Sequence, residues 1–385
     1  MKKVFLFSTM MLAMLFMVNV NAQDDAKKEK KLKLSADVRF RVEMDRNSET
    51  KTEDTPRADR DRLRYRARFG AKYALNDNFE FGMRIRTGNP ANQQSPHVTF
   101  GKGFDSDAFS IDKAYIKVKA NNGLWAWAGK NAMPFYEQNE LLWDGDVNPE
   151  GISLGGAFKL GENSKLVPVL GYYILDQNKV EFKDELTPLA PKDVTQKFGD
   201  FSNMTLAQVK FCNKFGDDKL TLSTGIVNAI VKDEIASTDD FKYSIWATSA
   251  QYKLSDLGLT FGLDYFSNLA DYKDKVYKEF EDQKTGYVAS LKYSKNKFGA
   301  AFTYAAIQKY AVVDFFAQDD WVRWGNSDMT RSSNFKGMEL NFKYKFTKKF
   351  NTTLRYWNVN GMEIREGGDQ LETGTRIRLD FNIKF

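Results

Sequence analysis

The chain of 385 residues has one cysteine, Cys212, one histidine, His97, and only 8 prolines. A lone cysteine permits no intrachain disulfide and no cysteine-based metal site. A lone histidine leaves little material for a zinc centre or a Ser–His couple unless His97 is itself the base. It sits in the Pro-flanked polar stretch NPANQQSPH, which reads as a loop. Beyond the N-terminus no apolar run approaches 18 residues, so the exported chain has no transmembrane helix. The formal charge of +6 falls to about +4 once Lys2 and Lys3 are set aside, too small an excess for a nucleic-acid partner. No stretch has the spacing of a calcium loop. No metal ligand set, cofactor or catalytic residue emerges, so the sequence argues against an enzyme.

What is present begins with an address. Lys2 and Lys3 precede the apolar run Val4 to Val18, and Val20-Asn21-Ala22 supplies a cleavage site. Residues 1–22 therefore read as a secretory signal peptide, and residues 23–31, QDDAKKEKK, as a charged, disordered lead-in.

From residue 32 onward the dominant signal is a period of two. In Arg62–Leu75, RLRYRARFGAKYAL, the residues Leu63, Tyr65, Ala67, Phe69, Ala71, Tyr73 and Leu75 share one face. Arg62, Arg64, Arg66, Arg68 and Lys72 share the other. Such alternation is a strand with one apolar and one wet face. Its length suits a tilted membrane crossing of about 9–11 residues better than an ordinary strand of about 5–6. An arginine facing lipid at the midplane costs about 2–4 kcal/mol, so four of them must look into water. A closed barrel with a wet interior satisfies both faces and leaves no unpaired edge in hydrocarbon.

The same pattern recurs along the chain and predicts about sixteen strands between residues 32 and 385. The links alternate between two to four residues and roughly 10–29 residues, as in outer-membrane barrels with short periplasmic turns and long extracellular loops. The expected fold is therefore all-β, a transmembrane antiparallel barrel of about 16 strands. Aromatics make up 14% of the chain, 31 of them Phe, enough for interfacial girdles. The last strand alternates Ile377, Leu379, Phe381 and Ile383 with Arg376, Arg378, Asp380 and Asn382, and ends on Phe385. A terminal Phe on such a strand looks like the signal read by the barrel-insertion machinery, which with outer-membrane lipid makes an expected partner.

Function should then lie on the inward faces, since a barrel of this size encloses an aqueous lumen. Pairing the last strand with the first gathers ten arginines into one sector of wall: Arg376 and Arg378, Arg39 and Arg41, the four of the second strand, and Arg84 and Arg86. Lys33, Lys72 and Lys384 add to them. Neighbours two apart lie about 7 Å from each other, so the wall should attract anions, whether dissolved or supplied by the protein. The internal supplier expected from sequence is the segment 131–150, with Glu137, Glu140, Asp144, Asp146 and Glu150 beside Phe135, Tyr136 and Trp143. Such a loop could fold inward and narrow the pore, or stand solvated outside. Trp125, Trp127, Trp321 and Trp324 fit no face.

The stretch DRDRLRYRARFGAKYALNDNFEFGMRIRTGNP, followed by LLWDGDVNPEGISL, resembles the family of putative porins that share an R-x-R-x-R strand and a W-D-x-D-x-N-x-E-G loop. The resemblance covers about Asp59–Leu154. Beyond it, the architecture is similar to that of the 16-stranded general porins of Gram-negative outer membranes. It implies a constriction loop holding Trp143, Asp144, Asp146, Asn148 and Glu150. It also implies passive diffusion of small anionic or polar solutes through a homotrimer of the Gram-negative outer-membrane type. A phosphate- or acidic-sugar-specific channel and a structural or adhesive barrel without an open pore are the alternatives.

Overall fold

The structure is a computed structural model that describes residues 31–53, 57–90, 94–101, 103, 106–175, 202–231, 241–273, 276, 280–313, 316–322, 332–365 and 367–385. The expected signal peptide, nearly all of the lead-in and Trp324 lie outside these residues. Alternation of apolar and polar residues produces strands β1 (Leu32–Glu49), β2 (Arg60–Ala74), β3 (Phe79–Arg86), β4 (Val98–Thr99), β5 (Ser110–Lys119) and β6 (Trp125–Lys130). They are followed by β7 (Glu150–Gly155), β8 (Phe158–Lys159), β9 (Ser164–Ile174), β10 (Asn203–Phe215), β11 (Asp218–Val231) and β12 (Phe241–Leu254). The chain ends with β13 (Leu259–Asn268), β14 (Thr285–Lys295), β15 (Phe298–Ile307), β16 (Phe335–Lys345), β17 (Phe350–Gly361) and β18 (Thr373–Lys384).

Successive wall strands pair antiparallel, β3 with β5 and β7 with β9 where a two-residue element intervenes, and β1 pairs with both β2 and β18, which closes the sheet. Two of the eighteen elements are not separate wall strands. The pair β8 continues β7 along β9, and β4 adds two residues beside Arg64 and Tyr65 of β2. The wall thus has sixteen strands. Links at one end are two to five residues long, as between β10 and β11 or between β14 and β15. The two-residue link 296–297 places Asn296 at φ 56°, a left-handed conformation that asparagine tolerates in tight hairpins.

The outward face is an apolar belt. Phe40, Leu63, Phe81, Ile116, Leu154, Leu170, Leu263, Phe342 and Leu354 are all exposed. In water this would be one continuous liability; against lipid it is the face that a barrel requires. Near the short turns Phe346 stacks on Phe350 at 4.9 Å and meets Tyr344 at the same distance, while Tyr344 touches Phe298 at 5.0 Å. This cluster forms part of an aromatic girdle.

The inward face divides into two arcs. On β18, β1, β2, β3 and β5 it is charged. Toward the long-link ends of β9 to β17 it is apolar, with Tyr173, Met204, Ala229, Ile245, Phe266, Ile307, Phe335 and Val359 all buried. What buries them is chain from inside the barrel, namely the segments 131–149 and 308–322.

Candidate functional site: a charged cavity inside the barrel

The charged arc starts from register. Arg41 of β1 faces Arg64 of β2 on one side and Asp380 of β18 on the other. Glu43 likewise lies between Arg62 and Arg378, and Asp45 between Arg60 and Arg376. Because directly opposed residues share a face, β1 threads acids between the arginines of its neighbours. Arg41 grips Asp380 through two hydrogen bonds of 2.6 and 3.0 Å. Arg378 donates to Glu43 at 2.6 Å and Arg376 to Asp45 at 2.7 Å. Arg62 also pairs with Glu43, whose carboxylate is wholly buried. Arg64 approaches Glu43 at 3.8 Å and donates to Ser95 Oγ at 2.9 Å. Arg66 and Arg68 share Asp37 at 2.6 and 2.8 Å, and Arg84 and Arg86 share Asp112. Arg39 donates to Asn382 at 2.7 Å with Asp380 at 3.7 Å.

All ten sequence-predicted arginines therefore stand on the inner wall, and each has a carboxylate within ion-pair distance. Sequence reasoning passed over the partners: Asp37, Glu43, Asp45, Asp112 and Asp380. Their signal was present, since the polar set of β1 mixes both signs on one face, with Asp37, Glu43 and Asp45 flanking Arg39 and Arg41.

The segment 131–149 leaves β6, crosses the interior and returns to β7. Tyr136 exchanges hydrogen bonds with Gln208 of β10 at 2.7 and 3.0 Å. Gln138 donates to Asp264 of β13 at 3.0 Å, and Lys292 of β14 donates to the Gln138 carbonyl at 2.8 Å. On the other side Asp146 pairs with Arg68 at 2.7 Å and lies 3.7 Å from Arg66, while Asn148 donates to Asp112 at 2.7 Å. The segment is anchored by Leu141, Leu142, Trp143 and Val147, all buried. Glu150 is placed differently from the rest of the set. It opens β7 in phase with the exposed Ile152 and Leu154, and Lys130 pairs with it at 2.8 Å on the outward side.

A second inward segment, 308–322, was read from sequence only as part of a long outer link. Its run Ala311, Val312, Val313, Ala317, Trp321 and Val322 is buried, and that apolar character was the available clue. Trp143 stacks on Phe316 at 4.6 Å, Asp144 N–H donates to the Phe316 carbonyl at 2.7 Å, and Gln318 donates to Glu140 at 2.6 Å. Asp320 pairs with Arg378 and approaches Arg355 at 3.5 Å. Trp321 stacks on Phe335 at 5.5 Å. Trp127 packs on Tyr173 at 6.1 Å, and Trp125 lies under the Lys117 ammonium at 4.8 Å. Between β3 and β4 a third piece turns inward, where Gln94 donates to the Ala317 carbonyl at 2.6 Å. His97 ends this piece and is half-buried; desolvation and the adjacent Arg41 and Arg39 hold its imidazole well below its usual titration range.

Between the arginine arc and the inward segments lies a cavity of about 480 Å³. Arg39, Arg66, Arg68 and Arg378 line one side, and Glu140, Asp144 and Asp146 the other. The acids of the inward segments are strongly perturbed. Burial, reinforced by Glu140 and Asp264, pushes the Glu137 carboxyl well above its usual range. Burial and the neighbouring Glu140 and Asp146 do the same to Asp144. Glu140, whose side chain opens onto the cavity, is pushed up to about 7 by partial desolvation inside the barrel and by Asp146 and Asp320. Asp320 goes the other way, held below the usual carboxylate range by Arg378, Arg41 and Arg355 against the cost of its burial. A cavity with cations on one side and acids on the other can pass small polar solutes while imposing a transverse field on them.

Residues 23–185 match the family described as "Putative porin". No curated protein sequence matches the chain. Among solved structures, OmpF of Salmonella typhi, in complex with daunomycin, superposes with a TM-score of 0.55 at 12% identity, covering 92% of this chain and 97% of that one. OprB of Pseudomonas putida, in its high-pH structure, gives 0.55 at 11% identity, with 92% and 94% covered. At these identities the structural likeness speaks for fold alone. By the family match over residues 23–185 and by its sixteen-stranded wall, the chain is similar to the putative porins, and its fold is that of an outer-membrane porin.

Proposed function

We propose that the protein is a porin of the Gram-negative outer membrane, passing small hydrophilic solutes by diffusion with a preference for anions. The observation that carries the reading is the charged cavity between the arginine arc and the acidic inward segment 131–149. Its lining has seven arginines and two lysines against seven carboxylic acids. Two of those acids, Glu140 and Asp144, are held toward their neutral forms. The balance favours anions modestly. Because the arginines are neutralised in pairs, a general pore is favoured over a tight site for one solute. Assembly as a homotrimer follows only by analogy with general porins. The family match and the barrel point to a channel rather than an enzyme.

The test is the reversal potential of the purified protein in a planar bilayer under a KCl gradient, repeated with Arg66→Gln and Arg68→Gln combined. Anion selectivity that falls or reverses in the variant is the expected result, since Asp37 and Asp146 then lose their partners. Selectivity indifferent to the change removes the arginine arc from the conduction path. Absence of any conductance overturns the pore and favours a structural barrel whose interior the two segments fill.

A further inference from the structure

The inner wall carries a second set of cations that the arginine arc does not explain. They are lysines, gathered where the strands meet the short turns. Register sets several of them directly against one another: Lys33 against Lys72, Lys159 against Lys165, and Lys219 against both Lys214 and Lys253. Their phase is inward. Lys72 continues the face of Arg66 and Arg68, Lys219 that of the buried Thr221 and Ser223, and Lys165 that of the buried Val169 and Tyr173. Elsewhere around the rim Lys343 lies close enough to Lys345 and Lys384 to be repelled by them, and Lys117 is similarly placed toward Lys119 and Lys72.

Like charges directly opposed across a sheet are destabilising, and here they recur around the circumference. Compensation is scarce. Glu80, at this level, is shared by Tyr115 at 3.1 Å and Lys119 at 3.9 Å. Asp37 lies opposite Lys384 in register, but both of its oxygens are already held by Arg66 and Arg68. Among the described residues, the acids Asp77, Glu162, Asp217, Asp218 and Asp256 of this end sit in or at the edge of the turns, and Asp218 is engaged by Tyr252 and Ser255. Among the described residues none of Lys33, Lys72, Lys343, Lys345 and Lys384 forms an ion pair. The contrast with the arginines is one of kind. There, acids sit between the bases; here, ammonium groups face one another, Lys343 and Lys384 at the edge of the charged cavity, and among the described residues these five hold no carboxylate partner.

We propose that this lysine ring at the short-turn mouth is a binding site for polyvalent oxyanions of the oligophosphate class. Ammonium groups are point-charge donors to phosphate oxygens. Spread over several neighbouring strands, they reward a ligand that can meet several at once, which a single chloride cannot do. A concave, single-sign surface also focuses its field and concentrates counter-ions. The site stands on the barrel itself and does not require an open pore.

The probe is sodium tripolyphosphate, titrated calorimetrically at low ionic strength into the full mature chain in non-ionic detergent. The test variant combines Lys33→Gln, Lys72→Gln, Lys343→Gln and Lys384→Gln. A control combines Lys297→Gln and Lys348→Gln, which lie in turns outside the ring. The expected result is saturable binding that weakens by about tenfold or more in the ring variant and is unchanged in the control. Because the ring variant relieves repulsion, its urea unfolding midpoint should not fall, which separates loss of the site from misfolding. No binding by the natural sequence, equal affinity in the ring variant, or an equal loss in the control each overturns the proposal.

Discussion

The two arcs of the inner wall solve the problem of a barrel interior in opposite ways. From β9 to β17 the long-link half of the wall presents Tyr173, Met204, Ile245, Phe266, Ile307 and Phe335 inward, and the chain covers them with its own segments. From β18 through β5 the wall presents charges and leaves a cavity of about 480 Å³ in front of them. Apolar surface left facing water costs roughly 25 cal/mol per Å², so the apolar arc recruits chain. A guanidinium–carboxylate lattice has no such need, because each member already holds its partner. The segments 131–149 and 308–322 therefore pack closely against the apolar side and reach the charged side only through polar contacts such as those of Asp146, Asn148 and Asp320, which leaves open space there. The wall thus decides on which side the cavity lies, and the inward segments close it with Glu140, Asp144 and Asp146.

The sharpest way to break this comparison is to remove an acid that binds the charged arc together. Glu43 is wholly buried and receives Arg62 and Arg378, with Arg64 and Arg376 within 3.9 Å. Glu43→Gln keeps the volume and strands several cations. Breaking a buried ion pair by removing one partner costs about 3–5 kcal/mol, and that loss is expected as a lowered urea midpoint in detergent. A Trp357→Phe change, on the ring under Arg355 and Arg378, should cost less, because cation–π contacts contribute only about 0.5–2 kcal/mol. An unchanged midpoint in Glu43→Gln would mean that the lattice is decorative and that strand pairing alone holds this side.

How much of this was legible beforehand differs between the arcs. Strand positions, the closed antiparallel barrel and the inward arginines were readable because each rests on a local period of two, as in Arg62–Leu75. The acids of β1 were equally visible, but their meaning depended on register with β2 and β18, and register joins residues more than 300 positions apart, such as Arg41 and Asp380. The segment 308–322 was illegible for a related reason. A short apolar run between two strands carries no period, and only the apolar inner faces of distant strands give it somewhere to go. Segment 131–149 was easier, because acids and aromatics together in one long link contrast with an arginine wall.

Acidity should sharpen the comparison, with an intermediate effect. Glu140 sits where the two inward segments meet, accepting from Gln318. Its side chain opens onto the cavity; partial desolvation inside the barrel raises its carboxyl to about 7, Asp146 and Asp320 add to the shift, and Arg355 and Arg39 oppose it. Released into water it would return to the ordinary range near 4.3. A carboxyl whose docked pKa is raised favours docking fully below that ordinary value and loses the contribution as pH rises through about 7. Glu137 and Asp144 act in the same direction. Limited proteolysis within 131–149 should therefore become faster as pH rises from 5 to 8, and Asp144→Asn, at the buried acid of the set, should flatten that rise more than Glu140→Gln. Faster cleavage at the acid end would reverse the assigned sign and place the segment under the control of the arginine lattice instead.

The smallest effect is expected just where the inward segment ends. Glu150 belongs by sequence to the same acidic run as Asp144 and Asp146, yet β7 turns it to the outward side, where it is exposed and paired with Lys130 at 2.8 Å. An exposed pair of this kind contributes about 0–1 kcal/mol. Glu150→Gln should leave the reversal potential unchanged and shift the unfolding midpoint barely at all. Asp146→Asn, four residues earlier, removes a partner from both Arg66 and Arg68 and should move the reversal potential toward anions. The two variants remove the same charge from the same stretch of chain, and they differ only in which side of the wall the side chain occupies. Equal effects would mean that net charge near the mouth governs the current. A response to Asp146→Asn alone would mean that the inner face does.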